Sequence, residues 1–230
     1  MKDTIVLDKE KIDSFWNART RIQDRRIATN YRDDGRLQLD VDFVRNYVSV
    51  NSSVLDMGAG TCTLSIKLLP FTRKVVAVEK FAGFLHGLQQ HENLQCIVSD
   101  VVEYQSAERF DVILLFGVAN FLTICDELRL YENISSLLSY QGTLIVKNQC
   151  GVAKEVVVDK YSEELQQHYH ARYPHVDSQH EILGKFFDVE RLDIYPPNLN
   201  RWQDTHFYAF VCTRKGIKKY ESEQPRSSLD

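Results

Sequence analysis

The sequence predicts an α/β protein, in which helices cover both faces of a mainly parallel sheet. Short apolar segments alternate with segments of helical character from Ser53 onward. Residues 110–116, Phe-Asp-Val-Ile-Leu-Leu-Phe, are almost continuously apolar, as a central strand buried on both faces requires. With 230 residues the chain is long enough for one well-buried core, so we expect a single domain over residues 1–230.

The first strand is predicted at residues 54–57 and is followed at once by two glycines. Gly58 and Gly60 lack a side chain where the backbone must turn sharply and approach a ligand closely. A helix at residues 64–69 follows and ends at Pro70. This order indicates a nucleotide-like cofactor at the strand ends. A glycine turn that serves only the backbone is the alternative reading.

Acidic residues follow the next two predicted strands. The apolar run 75–78 leads to Glu79, about 20 residues beyond the glycines, where a carboxylate accepts hydrogen bonds from ribose hydroxyls. A third run, residues 94–98, leads to Asp100. Three elements in this order favour a cofactor site over a purely structural turn.

Together these motifs resemble the class I S-adenosylmethionine-dependent methyltransferases, over residues 54–213. That family binds its cofactor with a D-x-G-x-G turn, an acidic residue ending the second strand and another after the third. The resemblance implies that Asp56 and the glycines lie near the methionine part, that Glu79 binds the ribose and that Asp100 accepts from the adenine amine. The cofactor site so implied consists of Asp56, Gly58, Gly60, Glu79, Asp100, Val101 and Phe116.

A dinucleotide cofactor fits these residues less well. Dinucleotide folds use a third glycine, but the position three after Gly60 is Thr63. The carboxylate of Asp56 would repel a diphosphate, whereas it would attract the amino group and the sulfonium of S-adenosylmethionine.

The remaining strands are predicted at residues 143–147, 187–194 and 207–213, with helices at 126–138 and 154–170. The resemblance implies a Rossmann-like sheet of seven strands whose last strand is antiparallel. The connection at residues 195–206 would then lie at the cofactor edge. We therefore divide the chain into a helical lid (1–50), a catalytic core (51–214) and a polar tail (215–230).

The lid region is rich in arginine, and a guanidinium fork fits a carboxylate or a phosphate. Six arginines lie there, namely Arg19, Arg21, Arg25, Arg26, Arg32 and Arg36. Interspersed aspartates leave an ion-paired solvent face as the alternative, and Trp16 and Tyr31 fit either a buried anchor or a stacking platform. The predicted acceptor-binding residues are Trp16, Arg26, Tyr31, Arg201 and Trp202.

A hydroxyl acceptor needs a base that removes its proton. We predict His206 for this role, at the start of the last strand, with Asp204 two residues earlier on the same side. A hydrogen-bonded structural histidine is the alternative. His168 and His170 are expected on a solvent-exposed helix. No metal site is predicted.

The composition of the chain restricts the classes of molecule that it is expected to bind. A net charge of −4 gives no long-range attraction to nucleic acid or an anionic membrane, and no segment is apolar over enough residues to span a bilayer. We therefore expect a cytoplasmic protein. The five cysteines form no C-x-x-C pair and signal neither a disulfide framework nor a zinc site.

Residues 116–121, Phe-Gly-Val-Ala-Asn-Phe, lack the D/N-P-P-Y/F motif of many methyltransferases that act on amino groups. The patterns W-N-x-R, T-N-Y and W-x-D-T-H-F-Y-A-F are similar to bacterial sugar and polysaccharide methyltransferases. The resemblance implies S-adenosylmethionine-dependent O-methylation of a small-molecule or carbohydrate acceptor, as in polysaccharide biosynthesis. A natural-product or RNA-type acceptor and a non-catalytic adapter that binds the cofactor are the alternatives.

Overall fold

A computed structural model describes residues 7–29, 34–163, 165–200 and 202–216. Tyr31, Arg201 and most of the predicted polar tail lie outside the described residues. The helices are α1 (Lys9–Arg19), α2 (Arg25–Ala28), α3 (Asp34–Arg45), α4 (Thr63–Leu68), α5 (Ile124–Leu137) and α6 (Val176–Gly184). The strands are β1 (Ser53–Met57), β2 (Lys74–Glu79), β3 (Leu94–Val98), β4 (Phe110–Phe116), β5 (Leu138–Gly151), β6 (Val156–Ser162), β7 (Gln167–Tyr173), β8 (Phe187–Asp193) and β9 (Thr205–Arg214).

Seven strands form one sheet in the order β3-β2-β1-β4-β5-β9-β8. The strands β3, β2, β1, β4 and β5 pair in parallel, while β9 runs antiparallel to both β5 and β8. The predicted seven-stranded sheet with an antiparallel last strand is confirmed. The strand order reverses between β1 and β4, and open α/β sheets bind ligands at the carboxyl ends of strands at such a switch point.

Helices cover the two faces of this sheet with separate apolar clusters. On one face, Leu37 and Val41 of α3 and Leu64 of α4 pack over β1, β2 and β4. On the other, Leu130 and Ile134 of α5 join Leu183 of α6 and the opposite side chains of the same strands. Each fully buried side chain of this kind contributes about 1.5–3 kcal/mol. The two clusters therefore hold the strand ends rigidly in place.

Local signals set the bounds of α5. The hydroxyl of Thr123 accepts a hydrogen bond of 3.1 Å from the backbone N–H of Asp126 and so caps the helix. Apolar residues at 130, 134 and 137 then place one stripe against the sheet. The helix leads directly into β5, which is longer than predicted and shifts register opposite residues 110–112.

The predicted helix at residues 154–170 is wrong, because this segment forms the antiparallel hairpin β6–β7. Three consecutive valines at 156–158 and tyrosines at 161, 169 and 173 are β-branched and aromatic residues that favour strands. The Glu- and Gln-rich stretch that suggested a helix lies around the turn between the two strands. His170 is consequently buried, with 4% of its surface exposed, and the expectation that it faces solvent is also wrong.

None of the helices in the described part of the chain combines the length and apolar character needed to cross a lipid bilayer.

Candidate active site

A cavity of about 950 Å³ lies at the carboxyl ends of β1, β2, β4 and β5. Helix α1, the β6–β7 hairpin and the connection from β8 to β9 complete its walls. This volume is near the upper end of the roughly 300–1,000 Å³ of ordinary ligand sites. There is room for a nucleotide-sized cofactor together with a small second ligand.

The turn after β1 needs glycine for two reasons. Gly58 and Gly60 have φ values of +80° and +54°, in the left-handed region that side chains disfavour. A β-carbon on Gly58 would lie 2.3 Å from Cγ2 of Val118, and one on Gly60 would lie 2.5 Å from Cγ2 of Thr29. The turn is therefore closely packed between the residues after β4 and those after α2, with its backbone facing the cavity.

Glu79 ends β2 and is almost fully buried at the cavity wall. One carboxylate oxygen accepts the N–H of Gly60 and the other accepts the N–H of Phe81, each at 2.8 Å. Burial raises the pKa of the Glu79 carboxyl, and the two backbone donors oppose that rise. A carboxylate has about four lone-pair sites, so two remain for hydroxyl donors from a ligand.

Asp56 lies below the turn in β1 and also lines the cavity. The hydroxyl of Ser65 in α4 donates to one of its carboxylate oxygens. The pKa of Asp56 is raised to about 6: burial is the main cause, the hydrogen bond from Ser65 opposes the rise, and the nearby Glu79 carboxyl adds to it. Two buried acidic groups at this position favour a ligand that carries positive charge.

Asp100 follows β3 at the same edge, and the buried Val101 beside it lines the cavity as well. One Asp100 oxygen accepts the N–H of Val102 at 3.1 Å, and the other lies 3.5 Å from Nζ of Lys80. Lys80 also contacts Asp13 of α1, at 2.6 Å. Sequence reasoning missed this link between α1 and the strand ends.

A buried polar cluster closes the opposite end of the cavity. Nζ of Lys147, in β5, contacts the carboxylate of Asp40 in α3 and donates to the hydroxyl of Tyr195 at 2.9 Å. That hydroxyl in turn donates to Asp40 at 2.8 Å. Burial lowers the pKa of Lys147 and raises the pKa of Tyr195. Nζ of Lys147 also lies 4.7 Å from the ring centre of Phe116, which lines the cavity.

Sequence reasoning missed this cluster too. A lysine directly after the apolar run Leu144, Ile145 and Val146 was the available signal, because a buried cation requires a partner. The partners Asp40 and Tyr195 come from distant segments and carried no signal of their own.

The structure separates the two predicted catalytic residues. Asp204 lines the cavity, but His206 does not. Nε2 of His206 contacts the carboxylate of Asp193 in β8 and lies 3.2 Å from the amide nitrogen of Asn200. The strand begins only at Thr205, so the alternation that was expected to put residues 204 and 206 on one side does not reach residue 204. The side chain of His206 therefore contacts β8 and is not part of the cavity lining.

The other predicted acceptor residues divide in the same way. Trp16 and Trp202 line the cavity, and Trp16 makes edge contacts with the rings of Phe84 and Phe121. Arg26 is not part of the lining and lies 3.8 Å from Asp24, so the structure does not place it at the site. Among the described histidines of the chain, none lines the cavity.

Helix α1 and the β6–β7 hairpin together form what we term the cover of the cavity. The backbone N–H of Asp8 donates to Nε2 of His170 at 3.0 Å, and Lys11 pairs with Asp159. The ring of Phe15 packs on Tyr169, with 5.2 Å between ring centres. The hairpin is tied to the core by Arg172, which donates to Glu127 of α5 at 2.7 Å. The lid expected from residues 1–50 is thus completed by a segment that was not expected there.

Comparison with known proteins defines the fold as that of the class I S-adenosylmethionine-dependent methyltransferases. The structure of the DhpI–SAH complex superposes with a TM-score of 0.68 at 14% identity, covering 91% of this chain and 98% of that one. The Haemonchus contortus phosphoethanolamine N-methyltransferase 1 superposes with a TM-score of 0.72 at 14% identity, covering 96% of this chain and 53% of that one.

In sequence, the chain is 23% identical over 197 residues to malonyl-[acyl-carrier protein] O-methyltransferase 1 of Ilyobacter polytropus. The match covers 82% of this chain and 70% of that protein. No model of a protein family matches the chain.

Proposed function

We propose that this protein is an S-adenosylmethionine-dependent methyltransferase. The observation that carries the proposal is the set of three carboxylates, Asp56, Glu79 and Asp100, which line one cavity beside a glycine turn at the ends of three adjacent strands. The fold supports it, because two structures of similar fold contain S-adenosylhomocysteine. Glu79 and Asp56 supply the acceptors and the negative charge that a ribose and a sulfonium require.

The protein has mainly a positioning role in this chemistry. The cofactor, when bound, would supply an electrophilic methyl group, with its sulfur leaving as the neutral thioether as the acceptor oxygen bonds to the methyl carbon. Asp204, which lines the cavity, would take the proton of the acceptor hydroxyl. The buried carboxylate of Asp56 favours the positive charge of the bound donor, and the turn at Gly58 and Gly60 lets the backbone approach it. The cover excludes water from the cavity and holds the acceptor against the strand ends. The reaction between acceptor and methyl donor then takes place within one complex instead of requiring a collision in solution.

We further propose that the acceptor is a small molecule of the sugar or carbohydrate type, methylated on oxygen. Residues 116–121 at the end of β4 support oxygen, since they lack the D/N-P-P-Y/F motif of many methyltransferases that act on amino groups. The aromatic lining by Trp16, Tyr169 and Trp202 suits the apolar face of a sugar ring. A natural-product acceptor remains the alternative; the covered cavity and the net charge of −4 argue against RNA.

Calorimetric titration of S-adenosylhomocysteine into the full chain and into Glu79→Ala tests the cofactor assignment. Glu132→Ala, the same change at an exposed position of α5, is the matched control. We expect binding to the unchanged protein and the control, and a strong loss in Glu79→Ala. Absence of binding to the unchanged protein would overturn the proposal.

Transfer of a labelled methyl group from S-adenosylmethionine to a panel of sugars, sugar acids and short carboxylic acids then tests catalysis. Cofactor binding with no transfer to any acceptor would favour a non-catalytic adapter.

A further inference from the structure

Arg36 occupies the end of the cavity opposite Glu79 and Asp100. It lies in the first turn of α3, is half-buried and lines the cavity. Its guanidinium lies 5.5 Å from the ring centre of Phe207 and 5.9 Å from that of Tyr195. One nitrogen donates to the carbonyl of Leu199 at 2.9 Å. Two aromatic rings and one carbonyl therefore hold this guanidinium in a fixed orientation.

Among the residues whose side chains the structure describes, which excludes 30–34, no carboxylate forms an ion pair with Arg36 within 4.0 Å. Asp40, one turn further along α3, is engaged by Lys147 and Tyr195 instead. Arg129, the other arginine among the described residues that line the cavity, pairs with both Glu103 and Asp126. The carboxylate of Asp204 also lines the cavity, but it is exposed to solvent. Counting only side chains that the structure describes, this end has two cations, Arg36 and Lys147, and one buried carboxylate, that of Asp40.

A guanidinium has five N–H donors in a planar fork, and the Leu199 carbonyl occupies one nitrogen. The remaining donors match the two oxygens of a carboxylate or of a phosphoryl group. The half-buried position and the aromatic rings strengthen such a bond, because they reduce competition from water.

We infer that Arg36 binds an anionic group of the acceptor, either a carboxylate or a phosphoryl group. The inference rests on the proposed function and specifies its substrate as an acid. The carboxylate of the cofactor's own methionine part is the competing ligand of the same chemistry. The acceptor is favoured because Phe207 lies on β9, which is three strand positions from β1 and its glycine turn, roughly 14 Å at the usual strand spacing.

The test uses the full chain saturated with S-adenosylhomocysteine. Malonate and methylphosphonate serve as carboxylate and phosphoryl probes in calorimetric titrations, and malonamide serves as a neutral probe of similar size. The variants are Arg36→Met, which removes the charge, and Arg36→Lys, which keeps it without the fork. Arg45→Met is the matched control, since Arg45 lies on the same helix, pairs with Asp42 and does not line the cavity.

We expect malonate, methylphosphonate or both to bind to the unchanged protein and to Arg45→Met, and malonamide to bind neither. The binding should weaken at least tenfold in Arg36→Met, because the charge-assisted hydrogen bonds are lost, and by a smaller factor in Arg36→Lys, which keeps the charge. If neither anion binds, or if Arg36→Met and Arg36→Lys bind the anions as the unchanged protein does, the inference is wrong. Should Arg36→Met fail to fold in a thermal melt, Arg36→Lys decides alone.

A second titration identifies the competing ligand. If Arg36 binds the methionine carboxylate, Arg36→Met will lose affinity for S-adenosylhomocysteine and keep its affinity for 5′-methylthioadenosine, which lacks that carboxylate. That result overturns the inference while leaving the proposed function intact. Failure of S-adenosylhomocysteine to bind to the unchanged protein overturns the proposed function instead, and titration of malonate into the cofactor-free chain then still tests Arg36.

Discussion

The carboxylate of Glu79 accepts a hydrogen bond of 2.8 Å from the backbone N–H of Gly60, so the residue that ends β2 fixes the turn that follows β1. The same side chain is the group that we assign to the ribose. Formation of the turn and binding of the cofactor are therefore coupled through one carboxylate.

This coupling predicts different effects for two substitutions of Glu79. Glu79→Gln keeps one oxygen that accepts a hydrogen bond and should weaken S-adenosylhomocysteine binding about tenfold or more, because the charge-assisted bonds are lost. Glu79→Ala also frees the Gly60 N–H and should weaken binding further. Calorimetry on both variants measures the order, and equal or unchanged affinities would contradict the assignment.

The elevated pKa of Asp56 predicts a pH dependence of stability. The pKa is about 6 in the folded chain against an ordinary value of 3.8, so the folded state holds this proton over a pH range in which the unfolded state has lost it. The free energy of unfolding should therefore fall as the pH rises from about 4 to about 6, by up to roughly 3 kcal/mol.

Asp56→Asn lacks this titration, and its side-chain oxygen still accepts a hydrogen bond from Ser65. Urea unfolding of both proteins between pH 4 and 7 should show the variant gaining stability relative to the unchanged protein as the pH rises. A difference that does not vary with pH would refute the explanation.

Gly58 and Gly87 allow backbone conformation to be separated from crowding. Both have a positive φ, +80° and +68°, but a β-carbon on Gly87 would meet no atom within 4 Å, whereas one on Gly58 would overlap Val118. Gly87→Ala should cost about 1–2 kcal/mol in the free energy of unfolding. Gly58→Ala should cost more and also abolish S-adenosylhomocysteine binding. Equal costs with intact binding would mean that the turn has room for a side chain.

The position of His206 predicts that it is not the general base. His206→Asn should retain its affinity for the cofactor and show none of the roughly 100-fold loss of turnover that removal of a base causes. Turnover is measured with the acceptor found in the transfer assay. A loss of that size in a folded variant would require His206 to reach the cavity by a rearrangement of β9.

Breaking the buried pair Arg172–Glu127 should destabilise the chain by about 3–5 kcal/mol, because Arg172→Met leaves a buried carboxylate without its cation. The pKa of Glu127 is already raised to about 7 by burial, so the carboxyl will become protonated more readily once Arg172 is gone. The cost measured by urea unfolding should therefore be smaller at pH 6 than at pH 8. Adding Glu127→Leu should restore part of the stability, and an undiminished cost in the double variant would contradict this account.

The parts of the fold that were predictable have local signals. The runs that form β1, β2 and β4 are short and apolar. Gly58 and Gly60 follow the first run and Glu79 ends the second, so the positions of these strands could be predicted from the spacing of the residues. The hairpin was missed because its valines and tyrosines compete with a Glu- and Gln-rich turn that resembles a helix face. Strand preference depends on packing partners, and the partner here is α1 at the other end of the chain.

In the candidate site, too, the residues that could be predicted are those with a local sequence signal. Residues placed by a strand end, such as Glu79 and Asp100, line the cavity as expected. The cluster of Lys147, Asp40 and Tyr195 joins three segments whose proximity no local pattern encodes. Thr205 and Phe207 line the cavity and His206, between them on β9, does not, because side chains alternate along a strand. Asp204 lies before the strand begins, so its place said nothing about that of His206.

The hydrogen bond from Asp8 to His170 joins residues 162 positions apart. During synthesis, the segment around Asp8 therefore leaves the ribosome well before its partner does. At roughly 5–20 residues per second, about 10–30 s pass between the emergence of α1 from the ribosome and the emergence of the hairpin on which it packs. For that interval Phe15 lacks the ring of Tyr169, on which it packs in the folded chain. The nascent helix α1 is therefore a segment that a ribosome-associated chaperone has a long opportunity to bind.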